Sequence, residues 1–189
     1  MGRPKLALPF GSGTVLSAVV EPLLRAPLDA VVVVLGQAAG EVRSAVDAAD
    51  PRLRFVTNPA WADGMASSLA AGLRETIAAD AVLIALGDKV GMTPALLERV
   101  LAGLERGPLV VPEVAGRASH PVAFSRRFFP ELLALEGDVG AREVVRRHRD
   151  LAVFVPGDPL HDVDDPADYE RLLAGLPPRS GDGLEVPKE

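Results

Sequence analysis

Ala81-Val82-Leu83-Ile84-Ala85-Leu86-Gly87-Asp88 is an apolar run of strand length that closes on Gly-Asp. An uninterrupted run of this kind marks a strand covered on both faces, as in parallel sheets. Ala30 to Leu35 (AVVVVL) has the same character and also ends at a glycine. The two runs are therefore expected at the centre of a sheet. Weaker strand candidates are Leu53 to Thr57, Leu109 to Pro112, Pro121 to Phe124 and Leu151 to Val155. Between them lie segments with apolar residues at helical spacing: Thr14 to Arg25, Ala39 to Ala49, Met65 to Ala78, Pro94 to Glu105, Ala141 to His148 and Ala167 to Ala174. Alternating strands and helices predict an α/β fold, with right-handed crossovers placing helix layers on a mostly parallel sheet. Ligands of such sheets bind beyond the carboxyl ends of the strands, where Asp88 would sit.

With 189 residues, 48% of them apolar and 24% charged, the chain can bury one substantial core. We read one domain, 1–176, and a tail rich in Pro, Gly and charge, 177–189, expected to be flexible. A net charge of −6 argues against a general polyanion binder. Nucleic acid is not an expected partner, and any phosphate site should be a local pocket. The absence of Cys excludes disulfides, thiolate zinc sites and thiol nucleophiles. The apolar runs are far shorter than the roughly 20 residues that span a bilayer, and no charged-then-apolar leader opens the chain. The expectation is a soluble cytoplasmic protein with no membrane partner.

Several segments carry residues suited to phosphate chemistry. Gly2-Arg3-Pro4-Lys5 is a basic turn before a helix, able to neutralise phosphate oxygens through backbone N–H groups and the Lys5 ammonium. On its own it reads first as a solvated terminus. Asp88 is placed to hold a metal ion; as a helix cap it is less well placed than Thr93, which directly precedes Pro94. In His161-Asp162-Val163-Asp164-Asp165-Pro166-Ala167-Asp168, capping accounts for Asp165 and Asp168. It leaves Asp162 and Asp164, on one side of an extended segment, as a pair that suits a hard cation. The loop from Asn58 to Ser68, with Trp61, Gly64, Ser67 and Ser68, follows a strand and opens a helix. It can offer hydroxyls and helix N–H groups to an anion beside a Trp61 wall, or Trp61 can act simply as a packing lid. His120 can donate to a phosphate or satisfy a backbone carbonyl. Arg142, Arg146, Arg147 and Arg149 read by default as a solvated helix face, Arg142 differing in its position at a turn into the helix.

Taken in order, these segments resemble the molybdenum-cofactor nucleotidyltransferase family, most closely its cytidylyltransferase branch. The match rests on Met1-Gly2-Arg3-Pro4-Lys5, the Asn58 to Ser68 segment, Gly87-Asp88, His120-Pro121-Val122, Gly137 to Arg142 and Asp162 to Pro166. The resemblance implies a three-layer, Rossmann-like nucleotide-diphosphosugar-transferase fold. It also implies Mg²⁺-dependent transfer of CMP from CTP to the phosphate of molybdopterin, with release of pyrophosphate. By the same implication Asp88 and Asp164 hold Mg²⁺, and Lys5 and Asp88 are catalytic. Arg3 and Lys5 contact the triphosphate, while Trp61, Gly64, Ser67, Ser68, His120 and Arg142 face nucleotide or pterin. A molybdenum hydroxylase would receive the product. GTP as donor, a sugar or polyol phosphate as acceptor, and a non-catalytic binding paralogue are the alternatives.

Three features depart from the family pattern. A strand and a Leu-Ala-Ala-Gly-type loop normally precede the signature, so the first strand is expected to be absent from this sheet and the natural protein to be longer. Burial of five or six apolar side chains would be forgone, at roughly 1.5 to 3 kcal/mol each. Another strand or a second subunit would have to fill the slot, which makes a homodimer an expectation. The second departure is Lys89-Val90-Gly91 after Asp88, where a Lys can pair with the metal carboxylate or with pyrophosphate. The third is Ser119 in place of the usual Gly, expected to narrow the site.

Overall fold

The computed structural model describes residues 4–46 and 49–177. A 3-10 turn at Lys5–Ala7 is followed by strands β1 (Pro9–Phe10) and β2 (Gly13–Thr14) and helix α1 (Val15–Arg25). Then come β3 (Val31–Leu35), α2 (Ala39–Ser44), β4 (Leu53–Thr57), α3 (Met65–Glu75) and β5 (Ala81–Ile84). The chain continues through β6 (Lys89–Val90), α4 (Pro94–Gly103), β7 (Leu109–Val114), β8 (Arg117–Ala118) and β9 (Val122–Ser125). It ends with α5 (Phe129–Leu133), α6 (Arg142–Arg147), β10 (Ala152–Pro156), β11 (His161–Asp162) and α7 (Pro166–Leu173). Every expected helix and strand is present; α1, α2, α3, α4 and α6 are one to five residues shorter than expected, whereas β4 matches its expected range and β7 runs two residues longer.

The larger sheet has the order β10-β7-β9-β5, with β8 paired to β7. β10 is parallel to β7, whereas β9 runs antiparallel to both β7 and β5. The apolar strands divide two clusters by alternation. Val110, Ala123 and Leu83 point to the layer of α1 and α4, with Val15, Val19, Leu96 and Val100. Leu109, Val111, Val122, Phe124, Val82 and Ile84 point to the layer of α3, α5 and α6, with Leu73, Phe129, Leu132 and Val144. A period of two along each strand thus yields three layers.

β3 and β4 form a separate parallel pair. Both β3 and β5 lie beneath the same two helices. Val31 joins Leu83 and Ala85 under α1, while Val34 abuts Gly72 of α3, and Val82 and Ile84 share a cluster with Leu69 and Leu73. Yet β3 and β5 are not hydrogen-bonded to each other among the described residues. The Ala81 and Ala30 runs therefore do not sit at the centre of one sheet, as the sequence led us to expect. Each ends a sheet, and the gap leaves Ala81–Ile84 only half-buried despite their apolar character.

Other differences have local causes. The helix expected over Ala39 to Ala49 stops at Ser44, because the Ala45 carbonyl is taken by the hydroxyls of Thr14 and Ser17 at the start of α1. α3 ends at Glu75 rather than Ala78, where the Thr76 hydroxyl turns back to the carbonyls of Gly72 and Leu73. The expected tail, 177–189, lies outside the described residues apart from Pro177.

Candidate active site

Asp88 leaves β5 through a turn in which the Lys89 N–H donates to the Leu86 carbonyl. The next two residues form β6, which pairs antiparallel with β11 and sets Lys89 opposite Asp162. The Val163 N–H donates to the Asp88 carbonyl and extends that ladder. Two segments more than seventy residues apart are thereby locked in register. Asp88, Asp162 and Asp164 each offer a carboxylate oxygen within 4.8 Å of the others.

Two ammonium groups answer these three carboxylates. Lys5 Nζ lies 2.6 Å from Asp88 Oδ2 and 3.0 Å from Asp164 Oδ1. Lys89 Nζ lies 2.5 Å from Asp162 Oδ2, with the Lys89 side chain only 9% exposed. Burial opposes the charge on Lys5, but its bonds to Asp88 and Asp164 outweigh that and hold the ammonium above its ordinary range. Burial pushes the Asp162 carboxyl up, an effect the Lys89 contact only partly offsets. Close-set carboxylate oxygens with an ammonium already between two of them form a donor set that fits a hard divalent cation.

His120 is buried behind this cluster. Burial first, and the nearby Lys89 charge second, lower its pKa to about 4, so the ring is neutral near pH 7. It lies against the backbone of Ile84, and its Nδ1 has no hydrogen-bond partner among the described residues. The Ile84 contact is compatible with the backbone role open from the sequence.

The Asn58 to Ser68 loop is bound mainly to itself. Asn58 Nδ2 donates to the hydroxyls of Ser67 and Ser68, and the Ser67 hydroxyl reaches the carbonyls of Ala60 and Gly64. Gly64 has φ +107, and a Cβ there would lie 2.3 Å from the Gly137 carbonyl. Only glycine permits that approach. The Ala66 N–H donates to Gly137 O, and the Ser67 N–H to Gly64 O. The start of α3 is thus partly committed to the neighbouring loop, which leads to Arg142, the first residue of α6. Trp61 is 43% exposed and stands over Gly36 at the end of β3, where a Cβ would meet it at 2.8 Å. The Arg146 and Arg147 guanidiniums pair with Glu143 on their own helix, and Arg149 lies over the Phe154 ring. Arg3 lies outside the described residues.

Capping behaves as the sequence suggested. Thr93 accepts from the Leu96 N–H at the start of α4. Asp165 and Asp168 form a capping box at α7. Asp162 and Asp164 are left for the cluster. The sequence sets Asp162 beside Asp164 and names no partner for it. The Lys89 contact supplies one, and only the pairing of β6 with β11 reveals it.

Comparison with known proteins identifies the family. The profile of the MobA-like NTP transferase domain matches residues 1–152. Nicotine blue oxidoreductase of Paenarthrobacter nicotinovorans is 31% identical over 157 residues, covering 78% of this chain and 76% of its own. Purine catabolism protein PucB of Bacillus subtilis is 29% identical, covering 93% and 91%. Among solved structures, a manganese complex of Rv0371c from Mycobacterium tuberculosis superposes with a TM-score of 0.73 at 31% identity, covering 92% of this chain and 93% of that one. A nucleotidyl transferase from Methanothermobacter thermautotroptrophicus gives a TM-score of 0.71 at 26% identity, covering 90% and 84%.

Proposed function

The chain belongs to the MobA-like NTP transferase family and is a nucleotidyltransferase; on that premise we propose that it transfers CMP from CTP to the terminal phosphate of molybdopterin. An acceptor phosphate oxygen attacks the α-phosphorus of CTP, the bond to the β-phosphate oxygen breaks, and pyrophosphate leaves. The observation that carries this reading is the Lys5 ammonium set between Asp88 and Asp164 beside a third carboxylate. Such an array neutralises and positions phosphates, which is most of what this chemistry asks of a protein.

Asp88 and Asp164, with Asp162 alongside, would hold a divalent ion, Mg²⁺ in our reading. Bound there, it would offset charge on the triphosphate. Lys5 contributes an ammonium to the phosphates, as would Arg3. Trp61 covers one wall, and neutral His120 keeps the floor beneath Asp88 free of a further charge. The loops carrying Gly64, Ser67, Ser68 and Arg142 support the nucleotide or pterin side chiefly by holding its shape. Among the described residues no helix is long and apolar enough to cross a membrane.

The edges of β3 and β5 that are unpaired among the described residues, beneath shared helices, support a further strand between them, from a longer form of this chain or from a second copy. The same gap favours a second reading, in which the chain as it stands binds nucleotide or cofactor without turnover. One assay separates the two: pyrophosphate release and nucleotidyl-molybdopterin formation from CTP or GTP, with Mg²⁺ or Mn²⁺. Product with CTP supports the proposal, and product with GTP alone reverses the choice of base. Nucleotide binding without turnover supports the non-catalytic reading. Product only with a sugar or polyol phosphate moves the acceptor.

A further inference from the structure

We propose that Lys5 is an exchangeable stand-in for the divalent cation, and that its transfer from Asp88 and Asp164 to the incoming triphosphate couples metal binding to nucleotide binding. The inference rests on the metal-dependent reading above and concerns what Lys5 does before substrate arrives. Its ammonium bridges the same two carboxylates that would hold the ion, at 2.6 and 3.0 Å. An ion ligated by oxygens at roughly 2.0 to 2.6 Å leaves no room for that ammonium between them. One occupant must leave.

Charge decides where it goes. Among the described residues three carboxylates face two ammonium groups, so the free cluster carries one net negative charge. A divalent ion reverses that sign while Lys5 remains nearby. Lys5 is the ammonium able to move. It stands on a flexible four-carbon stem with its side chain 35% exposed, whereas the Lys89 side chain is 9% exposed and clamped to Asp162. The displaced cation then lacks an anion, and a triphosphate supplies one. Metal alone has to expel Lys5, and triphosphate alone has to draw Lys5 off two carboxylates. Each ligand removes the other's penalty, so the coupling is reciprocal.

The test uses the full chain with Mn²⁺ and inorganic tripolyphosphate, titrated singly and together by calorimetry. In parallel, acetylation of Lys5 by an activated ester is followed by peptide mass mapping. Lys5 should be protected in the free protein, label several-fold faster with Mn²⁺ alone, and be protected again when tripolyphosphate is added. Lys5→Met, shown folded by circular dichroism, should bind Mn²⁺ alone about tenfold more tightly and lose most of the coupling, while Lys5→Arg should restore part of it. Lys5 remaining protected in Mn²⁺-loaded protein would overturn the exchange, as would unchanged or weaker Mn²⁺ binding by Lys5→Met. Either result leaves the metal-dependent reading intact if Asp88→Asn abolishes Mn²⁺ binding. If neither Mn²⁺ nor tripolyphosphate binds in any combination, the functional reading falls, and this inference with it.

Discussion

Asp88 is where the functional reading is most exposed to a single substitution. Asp88→Asn keeps the shape and the Lys5 contact but removes a charge from the cluster, so metal-dependent turnover should fall by two orders of magnitude or more with little change in melting temperature. Steady-state kinetics beside a thermal melt checks both halves. His120 carries the pH prediction. Its folded pKa of about 4 lies below the ordinary value of 6.5, so the unfolded chain takes up a proton before the folded one does. Stability from this residue is complete above about pH 6.5 and is lost as the pH falls towards 4, by about 3 kcal/mol at most. Denaturant midpoints across that range should decline more steeply for the natural chain than for His120→Gln. Equal slopes would show that the buried imidazole is not the group responsible.

At the scale of elements, the site depends on joints between segments distant in the chain. The β6 and β11 ladder brings Lys89 to Asp162, and Gly64 brings the start of α3 against the Gly137 loop. Gly64→Ala places a methyl group into a carbonyl at a backbone angle that L-residues rarely adopt, and should cost roughly 2 to 4 kcal/mol. Chemical denaturation would measure it. Because that joint supports the Trp61 loop, KM for nucleotide should rise as well. A variant as stable as the natural chain would mean the two loops can separate freely. The cap residues Thr93 and Asp165 were legible beforehand because capping is local: the acceptor and its N–H lie within three residues. The Gly64 joint was not, since nothing in Asn58 to Ser68 names Gly137 as its neighbour.

For the whole molecule, the open question of packing is the slot bounded by β3 and β5. Among the described residues the amides on its free edges have no ladder partner, so by hydrogen exchange β3 and β5 should be markedly less protected than β7, which is paired on both sides. An added strand, covalent or from a second copy, should raise that protection and the melting temperature together. Equal protection of β5 and β7 in the chain alone would refute the open slot. By itself, the sequence determined the α/β alternation, the helix caps and the strand-end position of Asp88, because each follows from a period or a contact a few residues long. Only the tertiary structure decided that the two most apolar runs end separate sheets, that Lys5 bridges Asp88 and Asp164, and that Lys89 takes Asp162. Those outcomes depend on which edges find partners and which charges meet across 73 to 159 residues of chain, and no local pattern encodes such meetings.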